Sequence, residues 1–103
     1  GFGNIGLAIN YSEFLKNCSD TTINKGLPIL ENIAKDPMSK WIRYYGKKGL
    51  NTVLDMYNDR ADKLNAKLQS DPNDQQLQNS LSEVKKQQNK IKTIISSLGN
   101  DEE

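Results

Sequence analysis

The sequence predicts an all-α fold, a small helical bundle built on a long antiparallel coiled-coil hairpin. No window of the 103 residues alternates apolar and polar side chains with the two-residue period of a strand. The second half instead carries two stretches in which apolar residues recur at alternating spacings of three and four. The polar stretch "SDPND", which contains aspartate and proline, divides them. Together these observations indicate two helices joined by a turn.

The two arms of the hairpin are predicted at about residues 50–70 and 73–98. Their heptad stripes place apolar side chains at positions that seal helices together by knobs-into-holes packing. The first stripe consists of Leu50, Leu54, Tyr57, Ala61, Leu64 and Leu68. The second consists of Leu77, Leu81, Val84, Gln88, Ile91, Ile95 and Leu98.

The register of the hairpin follows from pairing Leu68 with Leu77 across the turn. The same pairing then places Leu64 opposite Leu81 and fills every layer of the seam. Its single polar layer joins Tyr57 to Gln88, and a buried polar layer can select one register over its neighbours.

Two or three shorter N-terminal helices are expected to pack at the base of the hairpin, where its apolar stripe is widest. The first runs from about Asn4 to Cys18, and a short second one from Pro28 to Lys35, with proline in its first turn. Their inward residues are predicted to be Leu7, Tyr11, Phe14, Leu15 and Cys18 in the first helix, and Ile29, Leu30 and Ile33 in the second.

The stretch "DPMSKWIRYYGKKG" predicts a third short helix. Asp36 is a favourable N-cap, Pro37 suits the first helical position, and Gly46 suits a left-handed residue just beyond the end. The apolar face would comprise Met38, Trp41, Ile42 and Tyr45. Residues 1–99 are thus predicted to form one helical domain, and residues 100–103 a frayed acidic tail.

Composition narrows the function classes. A net charge of +1 lacks the strongly basic footprint of nucleic-acid binders. Cys18 is the only cysteine and there is no histidine, so we expect no intrachain disulfide and no zinc or other metal site. The chain has neither a signal-peptide pattern nor an apolar run long enough to span a bilayer, so we expect a soluble protein whose location is unknown.

The opening "GFGNIG" matches the glycine pattern of dinucleotide-binding folds. That pattern works only between a strand and a helix, with a second strand ending in an acidic residue about 20 residues later. We expect no strand before Gly1, and where the second strand should lie the sequence has the polar stretch "SDTTINKGLP". We therefore expect no nucleotide cofactor, and interpret the glycines as a flexible lead-in to the first helix.

No catalytic constellation can be assembled from the sequence, so we expect no enzymatic activity. Histidine, the usual general base, is missing. The acidic residues Asp55, Asp59 and Asp62 fall on the outward face of the first hairpin arm and lack the turn and spacing of a calcium loop. We expect these three carboxylates to form a charged face that is exposed to solvent.

The candidate partner-binding residues form a basic edge after Pro37. They are Lys40, Arg43, Tyr44, Lys47 and Lys48. Basic and aromatic side chains together can grip single-stranded nucleic acid. The helical spacing, however, sends Trp41 and Tyr45 to the apolar face, which favours a core helix with a solvated edge over a contact with phosphates or an acidic partner.

A protein-interaction or structural module remains as the predicted function, with another protein as partner and self-association through the coiled-coil surface as an alternative. Nucleic-acid or acidic-partner binding through the basic edge is the second hypothesis. The helix–"DPND"–helix layout resembles needle and tip subunits of bacterial type III secretion systems over about 45 residues, although the second arm is shorter than in a needle subunit. This resemblance implies an exported bacterial effector or a secretion component.

Overall fold

Four α-helices account for most of residues 2–99, the part of the chain that this computed structural model describes. They are α1 (Phe2–Leu15), α2 (Asp20–Ala34), α3 (Lys40–Ser70) and α4 (Gln75–Ser96). No strand occurs within residues 2–99, which confirms the all-α prediction. The acidic tail predicted at residues 100–103 lies outside the described residues.

The 31-residue helix α3 is the element on which the others assemble. It packs against α1, α2 and α4, whereas no Cα atoms of α1 and α4 come within 8 Å of each other among the described residues. Residues 71–74 connect α3 to α4, and the side chain of Asp74 caps α4 by accepting a hydrogen bond from the backbone N–H of Leu77. The molecule is elongated, measuring 51 × 27 × 17 Å.

The core lies at the end of the molecule where all four helices are present. Leu50, Val53, Tyr57 and Ile91 are fully buried there. Towards the connection at 71–74 the seam residues are only half-buried: they are Leu64, Leu68, Leu77 and Leu81. A two-helix seam leaves more side-chain surface open to water than a four-helix core, which explains this decrease.

Helix α2 is longer than the predicted segment of 28–35. Ser19 caps it, since its hydroxyl accepts a hydrogen bond from the N–H of Thr22, and Pro28 lies inside the helix with its side chain exposed. Proline removes one intrahelical hydrogen bond, and packing of the buried face of α2 compensates for the loss. The prediction that Ile29 faces inward is wrong, because the buried stripe is Ile23, Leu27, Leu30, Ile33 and Ala34.

The third predicted helix does not end at Gly46 but continues through it as α3. Its N-cap is Ser39, whose hydroxyl accepts from the N–H of Ile42, whereas the Asp36 carboxylate binds the N–H groups of Met38 and Ser39 in the preceding turn. Gly46 is buried because α2 passes against it. A Cβ at this position would lie 2.6 Å from Cα of Ala34, so close helix packing requires glycine.

Helix α1 buries a face that overlaps the predicted one only in part: Leu15 is buried as predicted, and Tyr11 is half-buried. Ala8, Ser12 and Leu15 are buried, while Leu7 and Phe14 are exposed. A Cβ on Gly49 of α3 would lie 3.1 Å from the carbonyl oxygen of Ala8, so the helices approach closely at their smallest residues. The helix also begins at Phe2 and ends at Leu15, so the glycines of "GFGNIG" that the structure describes are helical and do not form a lead-in.

Candidate functional surface

The five predicted partner-binding residues lie on the first three turns of α3 and separate into two groups. Lys40, Tyr44 and Lys48 are exposed, whereas Arg43 and Lys47 are half-buried. Residues spaced by three or four share a helix face. All five residues therefore lie on one side of α3, with Lys40, Tyr44 and Lys48 towards its exposed edge and Arg43 and Lys47 towards its half-buried edge.

The face that carries Tyr44 holds an exposed aromatic cluster. The ring centroid of Tyr44 lies 6.3 Å from that of Trp41 and 5.2 Å from that of Tyr45, both in edge-to-face geometry. The ammonium group of Lys48 lies 5.6 Å from the Tyr44 centroid, within range of a cation–π contact. Trp41 is 67% exposed, so this cluster presents a large apolar side chain to solvent.

Arg43 and Lys47 instead hold neighbouring segments against α3. The Arg43 guanidinium donates a 2.8 Å hydrogen bond to the backbone carbonyl of Asp36, in the turn before the helix. The Lys47 ammonium donates to the backbone carbonyl of Gly99, just after α4. These two cations thus have an intramolecular role as well as their contribution to the positive charge of the edge.

An apolar groove lies beside the aromatic cluster, between α1 and the start of α3. Its volume is about 680 Å³. The lining consists of Ile5, Asp36, Met38, Ser39, Trp41, Ile42 and Tyr45. We call this feature the α1–α3 groove.

Met38 and Trp41 are the two groove residues for which the prediction from sequence is wrong. Both were expected to face the core, yet Met38 is 90% exposed, since it precedes the helix. Trp41 is exposed because the buried face of α3 is narrow and centred on Ile42, Gly46 and Gly49. The spacing of these three residues, at i, i+4 and i+7, is the sequence signal that could have identified that face.

A second polar arrangement lies in the core where α2, α3 and α4 meet. The Tyr57 hydroxyl donates a 2.6 Å hydrogen bond to the Asp20 carboxylate and accepts one of 3.1 Å from the Gln87 amide. Gln87 and Asn24 exchange two further hydrogen bonds through their side-chain amides. Burial, reinforced by the bond to Asp20, raises the pKa of Tyr57 far above its ordinary value of 10.0.

This polar layer contains Gln87 where the prediction has Gln88, and it also includes Asp20 and Asn24 of α2. Gln87 is buried and bonds Tyr57, while Gln88 is half-buried and donates a 2.9 Å hydrogen bond to Asn58. The seam prediction considered only two helices. The third, α2, supplies Asn24 as a partner for Gln87 and so favours burial of that side chain.

The predicted acidic face on α3 is solvated. Asp55, Asp59 and Asp62 are all exposed. Within residues 2–99, no three acidic or cysteine side chains cluster closely enough to hold a metal ion, and no helix is long and apolar enough to cross a bilayer.

The fold and surface thus define a small all-α protein with an exposed aromatic cluster, a basic edge and an apolar groove. Comparison of the chain with protein-family models, with curated proteins and with solved structures found no match.

Proposed function

We propose that this chain is a non-enzymatic protein-interaction module, with α3 and α4 as an antiparallel helical hairpin and the first turns of α3 as its contact surface. The observation that carries the proposal is the exposure of Trp41 and Met38 beside the α1–α3 groove. Tryptophan and methionine are enriched at protein interfaces, and tryptophan anchors often dominate their energetics.

The hairpin provides the rigid support for this surface. The four-residue connection between α3 and α4 and the side-chain bonds Tyr57–Gln87 and Asn58–Gln88 support an antiparallel arrangement close to the predicted register. Because the same helix α3 continues into the contact surface, the partner would meet a preorganised face, which reduces the entropic cost of binding.

A capture experiment with matched variants tests the proposal. Trp41→Ala removes an exposed ring at the groove, and Phe14→Ala removes a ring of comparable exposure on α1 that does not line the groove. We expect the wild type and Phe14→Ala to retain a partner that Trp41→Ala loses. That partner should then be purified and titrated against all three proteins. A partner that binds the two variants equally well would overturn the assignment of the surface.

Nucleic-acid binding is the second candidate function, because the exposed Trp41 follows Lys40 and contacts Tyr44, over whose ring the Lys48 ammonium lies, and aromatic rings near cations bind single strands. Affinity for a single-stranded oligonucleotide would then fall steeply with salt. It would also weaken in a variant that combines Lys40→Glu with Lys48→Glu. Binding that persists at physiological salt would favour this function over the first.

The biological setting that we propose, an exported bacterial effector or secretion component, rests on the resemblance of the helix–"DPND"–helix layout. Secretion of the chain with a reporter from a bacterium that has a type III apparatus would support it. Equal reporter secretion from a strain without that apparatus would contradict it.

A further inference from the structure

We infer that the α1–α3 groove binds a second copy of this chain, with Met38 of each copy inserted into the groove of the other. The inference rests on the proposed function and names the partner of that surface. Two observations carry it. An exposed apolar side chain lies beside an apolar concavity, and a carboxylate in the lining lies close in sequence to a cation at the rim.

Met38 is the projecting side chain. It lies in the turn before α3 and is 90% exposed, more than any other large apolar side chain of the described residues. The groove that it borders has apolar walls formed by Ile5, Trp41, Ile42 and Tyr45. A methionine so exposed fills little of its own groove, and its flexible thioether adapts to irregular cavities. One surface therefore offers both an anchor and a cavity for an anchor.

A surface of this kind can satisfy itself in a two-fold dimer. In such a dimer, residue i of one copy contacts residue j of the other, and residue j contacts residue i. Met38 of each copy then enters the groove of its partner, and Trp41, which is 67% exposed in the single chain, becomes covered. Interfaces of homodimers are more apolar than other protein surfaces, and methionine and tryptophan are enriched at interfaces.

Asp36 and Lys40 give the same surface complementary charges. One oxygen of the Asp36 carboxylate accepts from the N–H groups of Met38 and Ser39, at 3.1 and 2.8 Å. The other oxygen has no hydrogen-bond partner among residues 2–99, and Lys40 has no ion-pair partner there. Lys40 lies between the groove residues Ser39 and Trp41 in sequence. A two-fold contact thus pairs Lys40 of each copy with the half-buried Asp36 of the other.

The other cations of the basic edge contact their own chain. Arg43 and Lys47 donate to the backbone carbonyls of Asp36 and Gly99, and the Lys48 ammonium lies over the ring of Tyr44. Lys40 is therefore the cation at the groove that is available to a second copy.

Sedimentation equilibrium of the full chain from about 1 μM to about 1 mM tests the inference. We expect a monomer–dimer equilibrium that stops at the dimer, because a two-fold contact closes on itself. Trp41 is the only tryptophan of the chain. Its emission should be that of a solvated residue at the lowest concentration and should shift to the blue as the dimer forms.

Met38→Ala removes the anchor and should weaken association by about tenfold or more. Phe14→Ala removes a side chain that is 59% exposed on α1 and does not line the groove, so it should leave association unchanged. Because both side chains are exposed, both variants should fold, and circular dichroism verifies this.

Lys40→Glu places a like charge opposite Asp36 and should also weaken association by about tenfold. Lys85→Glu makes the same change of charge at an exposed position of α4 and should have no effect. Asp36→Asn keeps a side-chain oxygen for the two N–H groups but removes the negative charge. Combining it with Lys40→Glu should therefore partly restore association.

Four results would overturn the inference. A chain that stays monomeric to about 1 mM does not bind itself at the groove, and a dimer that Met38→Ala leaves unchanged forms elsewhere. Association that continues beyond the dimer would exclude a two-fold contact. Equal effects of Lys40→Glu and Lys85→Glu would exclude the pairing of Lys40 with Asp36.

The inference and the proposed function can fail separately. A foreign protein that binds a monomeric chain and is lost with Trp41→Ala would assign the groove to that protein, so that the proposed function stands and the inference fails. The proposed function fails when a captured partner ignores the Trp41→Ala change.

Discussion

The phenolic hydroxyl of Tyr57 donates a hydrogen bond to the carboxylate of Asp20, which begins α2, and the oxygen-to-oxygen distance is 2.6 Å. The same hydroxyl accepts a hydrogen bond from Gln87 of α4, so one oxygen atom connects three helices. Tyr57 is fully buried, and its ring also lies 5.3 Å from the guanidinium carbon of Arg60.

Tyr57→Phe should lower the free energy of unfolding by about 1–2 kcal/mol, because the buried Gln87 amide loses an acceptor while the ring packing is kept. Urea unfolding monitored by circular dichroism measures this loss. Tyr44→Phe, at an exposed tyrosine, is the control and should change the free energy by less than about 0.5 kcal/mol. Equal losses in the two variants would contradict the role of the Tyr57 hydroxyl.

The raised pKa of Tyr57 predicts a loss of stability at alkaline pH. Because burial raises the folded-state pKa above the unfolded-state value, the stabilisation is complete below about pH 10 and is lost as the pH rises further. The difference in unfolding free energy between the wild type and Tyr57→Phe should therefore be constant from about pH 7 to 9 and shrink above about pH 10. A difference that stays constant to about pH 11 would refute this.

Leucine substitutions at the two adjacent glutamines should have different effects. Gln87→Leu removes the amide that bonds Tyr57 and Asn24, leaves buried polar groups without partners and should cost about 1–3 kcal/mol. Gln88→Leu removes a half-buried bond to Asn58 and should be nearly neutral. Thermal unfolding of both variants measures the difference, and equal stability of the two variants would contradict the role of Gln87 in the buried polar layer.

Alanine substitutions at two helical glycines should act in opposite directions. A Cβ on Gly6 meets nothing within 4 Å, so Gly6→Ala should stabilise α1 by about 0.5–1 kcal/mol. Gly46→Ala forces α2 and α3 apart at Ala34 and should destabilise the fold by about 1–3 kcal/mol or more. The denaturant midpoints of the two variants measure these effects. Stabilisation by Gly46→Ala would show that α2 and α3 are not in close contact at this position.

Alanine substitutions at two adjacent residues near the start of α3 should have clearly different effects on the free energy of unfolding. Ile42 is 5% exposed, so Ile42→Ala should cost about 2–5 kcal/mol, whereas Trp41→Ala should cost less than about 1 kcal/mol. The wild-type protein should also show the red-shifted emission of a solvated tryptophan. A large loss of stability for Trp41→Ala would indicate that this ring is buried in the core, as the spacing in the sequence predicts.

The heptad stripes predict which faces of α3 and α4 are apolar, because a seam between two helices depends on local periodicity. Leu50, Tyr57, Ala61, Val84 and Ile91 of these stripes are buried. The other members are half-buried: Leu54, Leu64, Leu68, Leu77, Leu81, Gln88, Ile95 and Leu98. The same reasoning cannot distinguish Gln87 from Gln88, since the deciding partner Asn24 belongs to a helix distant in sequence.

The errors at the N-terminal helices have a common physical cause. Apolar periodicity locates the large residues, but helices approach most closely at small ones. Helix α2 packs against Gly46 and α1 against Gly49, so the buried face at the start of α3 is centred on these glycines and not on its largest apolar residues. Met38 and Trp41 are left in solvent as a result. The exposed surface that supports the proposed function is therefore the part of the molecule that periodicity predicts least well.

The uninterrupted course of α3 separates the two ends of the molecule. Trp41 stands near its start and Pro72 just beyond its end, so a rise of 1.5 Å per residue places them about 45 Å apart. That separation is several times the Debye length of about 8 Å at physiological ionic strength. Charges on two ligands bound at opposite ends would therefore be screened from each other, and α3 would hold the ligands a fixed distance apart.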